Sequence, residues 1–409
     1  MKLSLGLDLG NQNFHLVLGS QTKSLRPRIL AALERPSAGL SKGSVVDPEE
    51  LIQALKSVLA ELKINFKHLP KNVTVNVSGP HSSVRSSRGM IAISRGDGEI
   101  SEFDINQVIQ KSKDINLTVN KNILHAIPRE YTVDDLTGIK DPLGMHGIKL
   151  EVDSIIVEGF LPNIKTINKC LDEAGTRVGV TVFSPLAAAH STISKKQEEV
   201  GTAIVDLGAE RTGLAVFDDG KLLTATTFPV GTNHITHDVA ICLKTSLDIA
   251  EKIKLTFGSA ISNEVSRKDT IDLSKISKEL DAQVSRRYLA EIVEARLEEI
   301  FDFVNEELKK VGRQGKLPGG VVLVGGGAKM PQIIEFVKAY LRLPTRIGHS
   351  INLELEDTSD ELAEIIDDPS FATASGLFLW GLNSDISEGV RFSSPFLSRL
   401  KRIVKMFMP

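Results

Sequence analysis

The sequence predicts an α/β protein of two duplicated halves, with a subdomain inserted into the first half and an amphipathic helix at the C-terminus. Three observations carry this. A short apolar strand ending in Asp-Leu-Gly occurs twice, a run of strands and turns interrupts the first half, and residues 395–409 space apolar and basic residues at a helical period.

The repeat organises the chain. Leu5-Gly6-Leu7-Asp8-Leu9-Gly10 is followed, past Asn11-Gln12-Asn13, by the apolar run Phe14 to Leu18. Ala203-Ile204-Val205-Asp206-Leu207-Gly208 is followed, past Ala209-Glu210-Arg211-Thr212, by Gly213 to Phe217. Each reads as strand, tight turn, strand, and Asp218-Asp219-Gly220-Lys221 adds a hairpin turn, since Asp-Gly accommodates positive φ cheaply.

Between the repeats, Pro48 to Leu62 has helical apolar spacing at Leu51, Ile52, Leu55, Val58, Leu59 and Leu62, with Asp47 as N-cap. Val73 to Val77 alternates as a strand. From Ser83 to about Asp153 the pattern changes to short strands and turns with one helix near Asp104 to Asn116, an inserted subdomain. In the second half, Ser285 to Lys310 is a long helix with Leu289, Ile292, Val293, Leu297, Ile300, Phe301 and Val304 inward. Val321 to Val324 is a buried strand ending in Gly325-Gly326-Gly327. Glu354 to Asp368 is acidic and reads as a solvated helix and loop, and Asn383 to Ser394 as a polar linker.

Composition bounds the function. At 409 residues, 41% hydrophobic and 25% charged, the chain is an ordinary globular protein with room for two or more domains. Cys170 and Cys242 lie far apart and outside any CxxC, which points to a reducing cytoplasm rather than a disulfide framework. The N-terminus is too short and too acidic in its apolar run for a signal peptide, and no run reaches the roughly 20 apolar residues of a membrane span. Four basic and no acidic residues fall between Phe396 and Pro409, so the body is more acidic than the net charge of −3 suggests. A basic tail on an acidic body does not suit a body that grips nucleic acid and suits a tail that works separately.

Asp-Leu-Gly between two strands has a chemical use. Phosphates need backbone N–H groups they can approach closely, and a strand-end carboxylate can hold a hydrated Mg²⁺. A single D-x-G is an ordinary hairpin. Two in equivalent contexts, with a third glycine turn at Gly325 to Gly327, describe two phosphate hairpins and an adenosine-side loop. The competing sites are weaker: there is no GxxxxGK[ST], the glycines after Val324 do not fit G-x-G-x-x-G, and His234 and His237 lack a third ligand.

These residues resemble the actin/Hsp70-like ATPase superfamily, and within it the FtsA family of bacterial cell-division proteins over almost the whole chain. The most specific stretches are SRGMIAIS (87–94), HAIPREY (125–131) and GIKDPLGMHG (138–147) with Leu150 and Glu151; Phe228 to Asp238, Ala250 to Lys254 and Asp368 to Gly376 match in the second half. The resemblance implies actin-like, ribonuclease-H-like duplicated halves. The first core would span 1–83 and 155–196, the FtsA-type insert 84–154, the second core 197–233 and 312–382, and a second small subdomain 234–311. A linker (383–394) and a membrane-targeting helix (395–409) would follow.

The resemblance also implies ATP with Mg²⁺. Asp8, Gly10, Asn11, Gln12 and Asn13 would line the first hairpin, and Asp206, Gly208, Glu210, Arg211 and Thr212 the second. Asp8 and Asp206 would hold Mg²⁺ through water. Gly231, Thr232 and Asn233 would approach from the return loop, Glu251 and Lys254 from the ribose and adenine side, and Gly325, Gly326, Gly327, Lys329 and Met330 from the adenosine. The second hairpin departs from the family's D-x-G-x-G-T-x-D: Glu210 replaces a glycine and Gly213 an acid. Weak or absent hydrolysis follows, with the nucleotide controlling assembly.

In the tail, Phe396, Leu397, Leu400, Ile403, Val404, Phe407 and Met408 share an arc of about 140°, opposite Arg399, Lys401, Arg402 and Lys405, with Met406 the misfit. Four basic residues at about 1 kcal/mol each near an anionic leaflet, plus buried Phe and Leu, make a reversible anchor. The implied function is a polymerising adaptor tying FtsZ filaments to the cytoplasmic face of the inner membrane at the division site. Its partners would be the FtsZ C-terminal tail, met through Arg286, Arg287 and Arg296, further copies of itself, and anionic lipid, with no nucleic acid. The alternatives are a pilus or microcompartment relative, which the 138–147 stretch argues against, and a sugar-kinase-type phosphotransferase, for which the insert offers no general base.

Overall fold

The two halves carry the same sheet. In the first, β1 (Lys2–Leu9), β2 (Asn13–Gln21) and β3 (Pro27–Pro36) form an antiparallel meander. A short hairpin of β4 (Leu40–Ser41) and β5 (Ser44–Val45) leads to α1 (Pro48–Asn65), and β6 (Asn72–Val77) joins parallel to β1. Asp47 caps α1 by accepting from the Glu49 and Glu50 amides at 3.0 Å each. All six apolar positions of its predicted face are buried. The computed structural model describes residues 2–21, 26–79, 82–276, 283–351, 353 and 358–383.

The chain then leaves the core through β7 (Ser83–Ala92), α2 (Glu102–Ser112), β8 (Lys121–Val133), β9 (Leu136–Ile139) and β10 (Lys149–Phe160). These make an antiparallel sheet in the order β7-β10-β8-β9, with α2 against it. β8 and β10 are long where the sequence predicts short strands. Register breaks at Asp153/Ser154 and Val157/Glu158 disrupt the alternation that would have shown their length. The helix starts earlier than Asp104, because Ser101 and Asp104 cap it reciprocally, and it ends at Ser112 with Lys113 as its C-cap.

α3 (Leu161–Glu173), β11 (Arg177–Phe183) and α4 (Ser184–Thr192) complete a first sheet of order β11-β6-β1-β2-β3. After α5 (Lys195–Val200), the meander recurs as β12 (Thr202–Leu207), β13 (Thr212–Asp218) and β14 (Lys221–Phe228). A small subdomain follows: α6 (Thr232–Leu243), α7 (Leu247–Phe257), a ribbon of β15 (Thr270–Asp272) and β16 (Gln283–Ser285), and α8 (Arg286–Lys310). Of the seven residues expected inward on α8, only Ile292 is partly exposed. β17 (Val321–Val324), α9 (Ile333–Leu341) and β18 (Thr345–Ile347) close a sheet of order β14-β13-β12-β17-β18. Strand for strand this repeats the first sheet. β17 lies between parallel β12 and β18 with no exposed side chain, hence its unbroken apolar sequence. α10 (Asp360–Asp367) and α11 (Ala372–Asn383) end the described chain.

Two helices lock the halves together. α4 ends the first half yet packs on β12 and β13, whereas α11 ends the second half yet packs on β1, β2 and β6. They cross so closely that a Cβ at Gly376 would lie 1.7 Å from the Ala187 carbonyl oxygen. The β13–β14 turn, with Asp219 and Gly220 at positive φ, reaches the insert through Lys140–Asp219 and Lys221–Glu130 pairs of 2.8 Å each. No helix among the described residues is long and apolar enough to cross a membrane. Past Asn383, the expected linker and the expected membrane helix lie outside the described residues.

Candidate functional site

The crossing of α4 and α11 turns the two repeated hairpins toward each other across a cleft of about 420 Å³. The β1–β2 turn contributes Asp8, Gly10, Asn11, Gln12 and Asn13, and the β12–β13 turn Asp206, Gly208, Glu210 and Arg211. Thr232 on α6, Glu251 and Lys254 on α7, and Gly325, Gly326, Gly327, Lys329 and Met330 after β17 line it as expected. Gly325 has φ +83°, and a Cβ there would fall 2.5 Å from Asp206 Oδ1, so the glycine loop presses directly on the second hairpin.

Thr212, Gly231 and Asn233 do not line the cleft; they brace it. The Thr212 hydroxyl donates to the Val230 carbonyl at 2.8 Å. The amides of Thr232 and Asn233 donate to the Gly208 and Ala209 carbonyls at 3.0 and 2.7 Å. The first turn of α6 thus spends its free donors on holding the second hairpin in shape. Lys254 is buried: its ammonium pairs with Glu251 at 2.7 Å and donates to Thr236 at 2.9 Å. Burial pulls its pKa down while Glu251 supports the charge. Lys254 therefore positions Glu251, whose carboxylate keeps the more exposed edge.

Several lining residues were not anticipated. Asn76, at the end of β6, accepts from the Leu9 amide at 2.7 Å and donates to Asp8 and, at 3.0 Å, to Ser184. Its polarity inside an apolar strand was the available signal. His15, the cross-strand partner of Asp8, lies 3.7 Å from that carboxylate and 3.4 Å from Glu34 on β3. Burial disfavours its charge, but the two carboxylates outweigh burial and raise its pKa to about 9. The two carboxylates thus favour the charged form of this ring at neutral pH. Nothing in the sequence around residue 15 marks it, because its partners arrive from other strands.

The second hairpin departs from the expected pattern in a specific way. Glu210 reaches across to the first half, accepting from the Asn11 amide at 2.7 Å and from the Lys42 backbone N–H at 2.5 Å. Its carboxylate is therefore tied to the opposite wall. Arg211 also crosses, with Nη1 on the Ser78 hydroxyl. Burial lowers its pKa, opposed by the charges of Asp8, Asp206 and Glu210. Burial, then the charge of Asp8, pushes Asp206 up to about 6.

A hydrated Mg²⁺ was expected between Asp8 and Asp206. Asp8 already bonds Asn76 and faces His15, and Arg211 lies in the field of both carboxylates. This donor set carries its own cations and does not fit a divalent ion. Among the described residues no cluster of three or more His, Cys, Asp or Glu could hold a metal, so His234 and His237 gain no third ligand. Arg286, Arg287 and Arg296 lie on α8 and do not line the cleft. Arg296 holds Asp238 of α6 in a bidentate pair of 2.7 and 2.9 Å.

The family description "Cell division protein FtsA" matches residues 203–376, and "SHS2 domain inserted in FTSA" matches residues 79–158. The chain is 28% identical to the cell division protein FtsA of Pseudomonas aeruginosa over 416 residues, covering 99% of this chain and 98% of that protein. It is 30% identical to that of Borreliella burgdorferi over 379 residues (92% and 90%) and 31% to that of Bacillus subtilis over 349 residues (85% and 78%). Among solved structures, the PilM-PilN type IV pilus biogenesis complex aligns with a TM-score of 0.65 at 18% identity, over 93% of this chain and 99% of that one. MreB5 of Spiroplasma citri bound to ADP aligns with a TM-score of 0.53 at 16% identity, over 93% and 96%. The structural likenesses establish an actin-like fold, and the sequence relatives, matched along most of their length, establish that the chain belongs to the FtsA family of cell-division proteins.

Proposed function

We propose that this chain is an actin-like nucleotide-binding protein of cell division that assembles into filaments and ties FtsZ filaments to the cytoplasmic membrane. The observation that carries the reading is the pair of like hairpins facing each other across one cleft, with a glycine loop closing it. ATP fits this arrangement. Its phosphates would lie between Gly10 to Asn13 and Gly208 to Arg211, and its adenosine between Glu251, Leu255, Met330 and the loop from Gly325 to Gly327. The apolar side chains of Leu255 and Met330 suit a base, and the Glu251 carboxylate suits ribose hydroxyls.

The chemistry favours a switch over a motor. The pattern's acid is Gly213 here, and the Asp8 carboxylate at the end of the first strand is occupied by Asn76 and His15. With that acid missing and Asp8 engaged, hydrolysis would be slow. Cell division is supported by the FtsA relatives, and nucleotide use by the ADP-bound MreB5 neighbour. Membrane attachment rests on the apolar and basic arcs of residues 396–408.

The test is sedimentation of the full chain on anionic liposomes with ATP, with and without FtsZ, followed by imaging of the pellet. The chain should co-sediment and recruit FtsZ, whereas a variant lacking residues 395–409 should stay in the supernatant. Undiminished sedimentation of the truncated chain overturns membrane attachment by the tail. Turnover of many ATP per minute overturns the switch.

A further inference from the structure

A nucleoside triphosphate brings about four negative charges, and this cleft meets it with the carboxylates of Asp8 and Asp206 already in place. Some cation must stand between them, since like charges in a partly buried site repel strongly. The cation is built into the chain.

Arg211 stands at the tip of the second hairpin, where its carbonyl accepts from the Gly208 amide at 2.9 Å and closes the turn. Its side chain does not run out to solvent. It crosses from the second half to the first, where Nη1 meets the Ser78 hydroxyl. A Cβ at Gly43, in the β4–β5 turn, would lie 2.2 Å from Nη1 and 2.8 Å from Cζ, so the guanidinium is wedged against two walls of the first half. Its hairpin neighbour Glu210 acts on it through its charge, while one oxygen of the Glu210 carboxylate takes the Asn11 and Lys42 amides of the first half.

The carboxylates lack free coordination in the same measure. Asp8 is tied by Asn76 and faces the His15 imidazolium at 3.7 Å. Asp206 is pressed by the glycine loop. His15, itself more than nine-tenths buried and among the cleft-lining residues, sets its ring nitrogens 3.7 Å from Asp8 and 3.4 Å from Glu34, which places a second cation beside the Asp8 carboxylate. The sequence shows the matching exchange: relative to D-x-G-x-G-T-x-D, the hairpin has lost its final acid at Gly213 and gained a base at Arg211.

We propose that the Arg211 guanidinium, seated across the cleft floor against Ser78 and Gly43, takes the place of a divalent cation, so that this chain binds a nucleoside triphosphate without Mg²⁺. The proposal rests on the nucleotide reading above. A planar guanidinium can meet two phosphate oxygens at once, which a lysine cannot. His15 adds a fixed charge from the first half. The affinity therefore becomes independent of divalent ion concentration, while nothing in the arrangement supplies the Lewis acid that fast hydrolysis of the γ-phosphate uses.

The experiment measures ATP affinity of the full chain by calorimetry, once with excess Mg²⁺ and once with EDTA. The unaltered chain should bind equally in both, within about threefold. Arg211→Thr should lose about tenfold or more in EDTA and recover with Mg²⁺, and Arg211→Lys should retain part of the metal-free affinity. A loss of about tenfold in the unaltered chain on adding EDTA overturns the proposal and leaves the nucleotide reading standing. Metal-free affinity in Arg211→Thr equal to that of the unaltered chain also overturns it. Absence of binding in both buffers overturns both readings. If Arg211→Thr does not fold, the unaltered chain and Arg211→Lys still decide.

Discussion

The Asn11 side chain donates a 2.7 Å hydrogen bond to Glu210, 199 positions away, and so joins the tips of two hairpins that belong to opposite halves. Glu210 also accepts from the Lys42 amide, and Asn11 in turn accepts from the Gly43 amide at 3.2 Å. The cleft is thereby clasped at its mouth by the residue that replaces a glycine of the family's pattern.

Glu210→Gly should open this clasp. Two hydrogen bonds to a carboxylate are lost, each worth about 1.5–3 kcal/mol at most and less where water reaches them. Dissociation of a fluorescent ATP analogue, followed by stopped flow, should quicken by about tenfold. An unchanged rate would show that the clasp does not hold the cleft shut.

His15 predicts a pH dependence on the alkaline side. The groups facing it are Asp8 and Glu34, with Asp206 nearby and Lys329 acting on Glu34. Its pKa rises from 6.5 to about 9 on folding, so its stabilisation is complete below pH 6.5 and is lost as pH rises through about 9. The Tm advantage of the unaltered chain over His15→Gln should therefore be largest near pH 6.5 and shrink by pH 9.5. Parallel melting profiles across that range would refute the charge on His15.

Gly376→Ala tests the crossing that faces the halves toward each other. Its Cβ would lie 1.7 Å from the Ala187 carbonyl oxygen, and both helices must shift to admit it. The loss should be about 3 kcal/mol or more, lowering Tm by about 10 °C or leaving the chain insoluble. Gly96→Ala, where nothing lies within 4 Å, is the control and should melt with the unaltered chain.

The three arginines of α8 should separate by role. Arg296 is committed to Asp238 in a bidentate pair, and its replacement by Ala should cost about 1–2 kcal/mol of stability. Arg286 touches the Phe257 carbonyl at 3.2 Å and Arg287 faces Asn263 and Glu291, all at the subdomain surface. Arg286→Ala or Arg287→Ala should weaken binding of an FtsZ tail peptide, measured by fluorescence anisotropy, without moving Tm. A Tm unchanged in Arg296→Ala would contradict its structural role.

What the sequence determined by itself is local or repetitive. The two Asp-Leu-Gly hairpins, the Asp47 cap with its six buried apolar positions, the inward face of α8 and the glycine turn after β17 all depend on neighbours within a few residues. Duplication then implied a facing pair of hairpins, since a repeated unit repeats its sheet order. Only the tertiary structure decided how the charges in the cleft are partnered. Asn76 reaches Asp8, Glu34 reaches His15, Glu210 reaches Asn11, and Arg211 reaches Ser78, each across strands or between halves. Thr212, expected at the nucleotide, turned inward because a buried hydroxyl must find a partner and the nearest lay in the protein, while Lys254 lines the cleft with its ammonium paired to Glu251. Spacing along the chain shows which side chains can share a turn. It does not show which carboxylate an arginine meets from the opposite half, because that depends on how two folded sheets are set against each other.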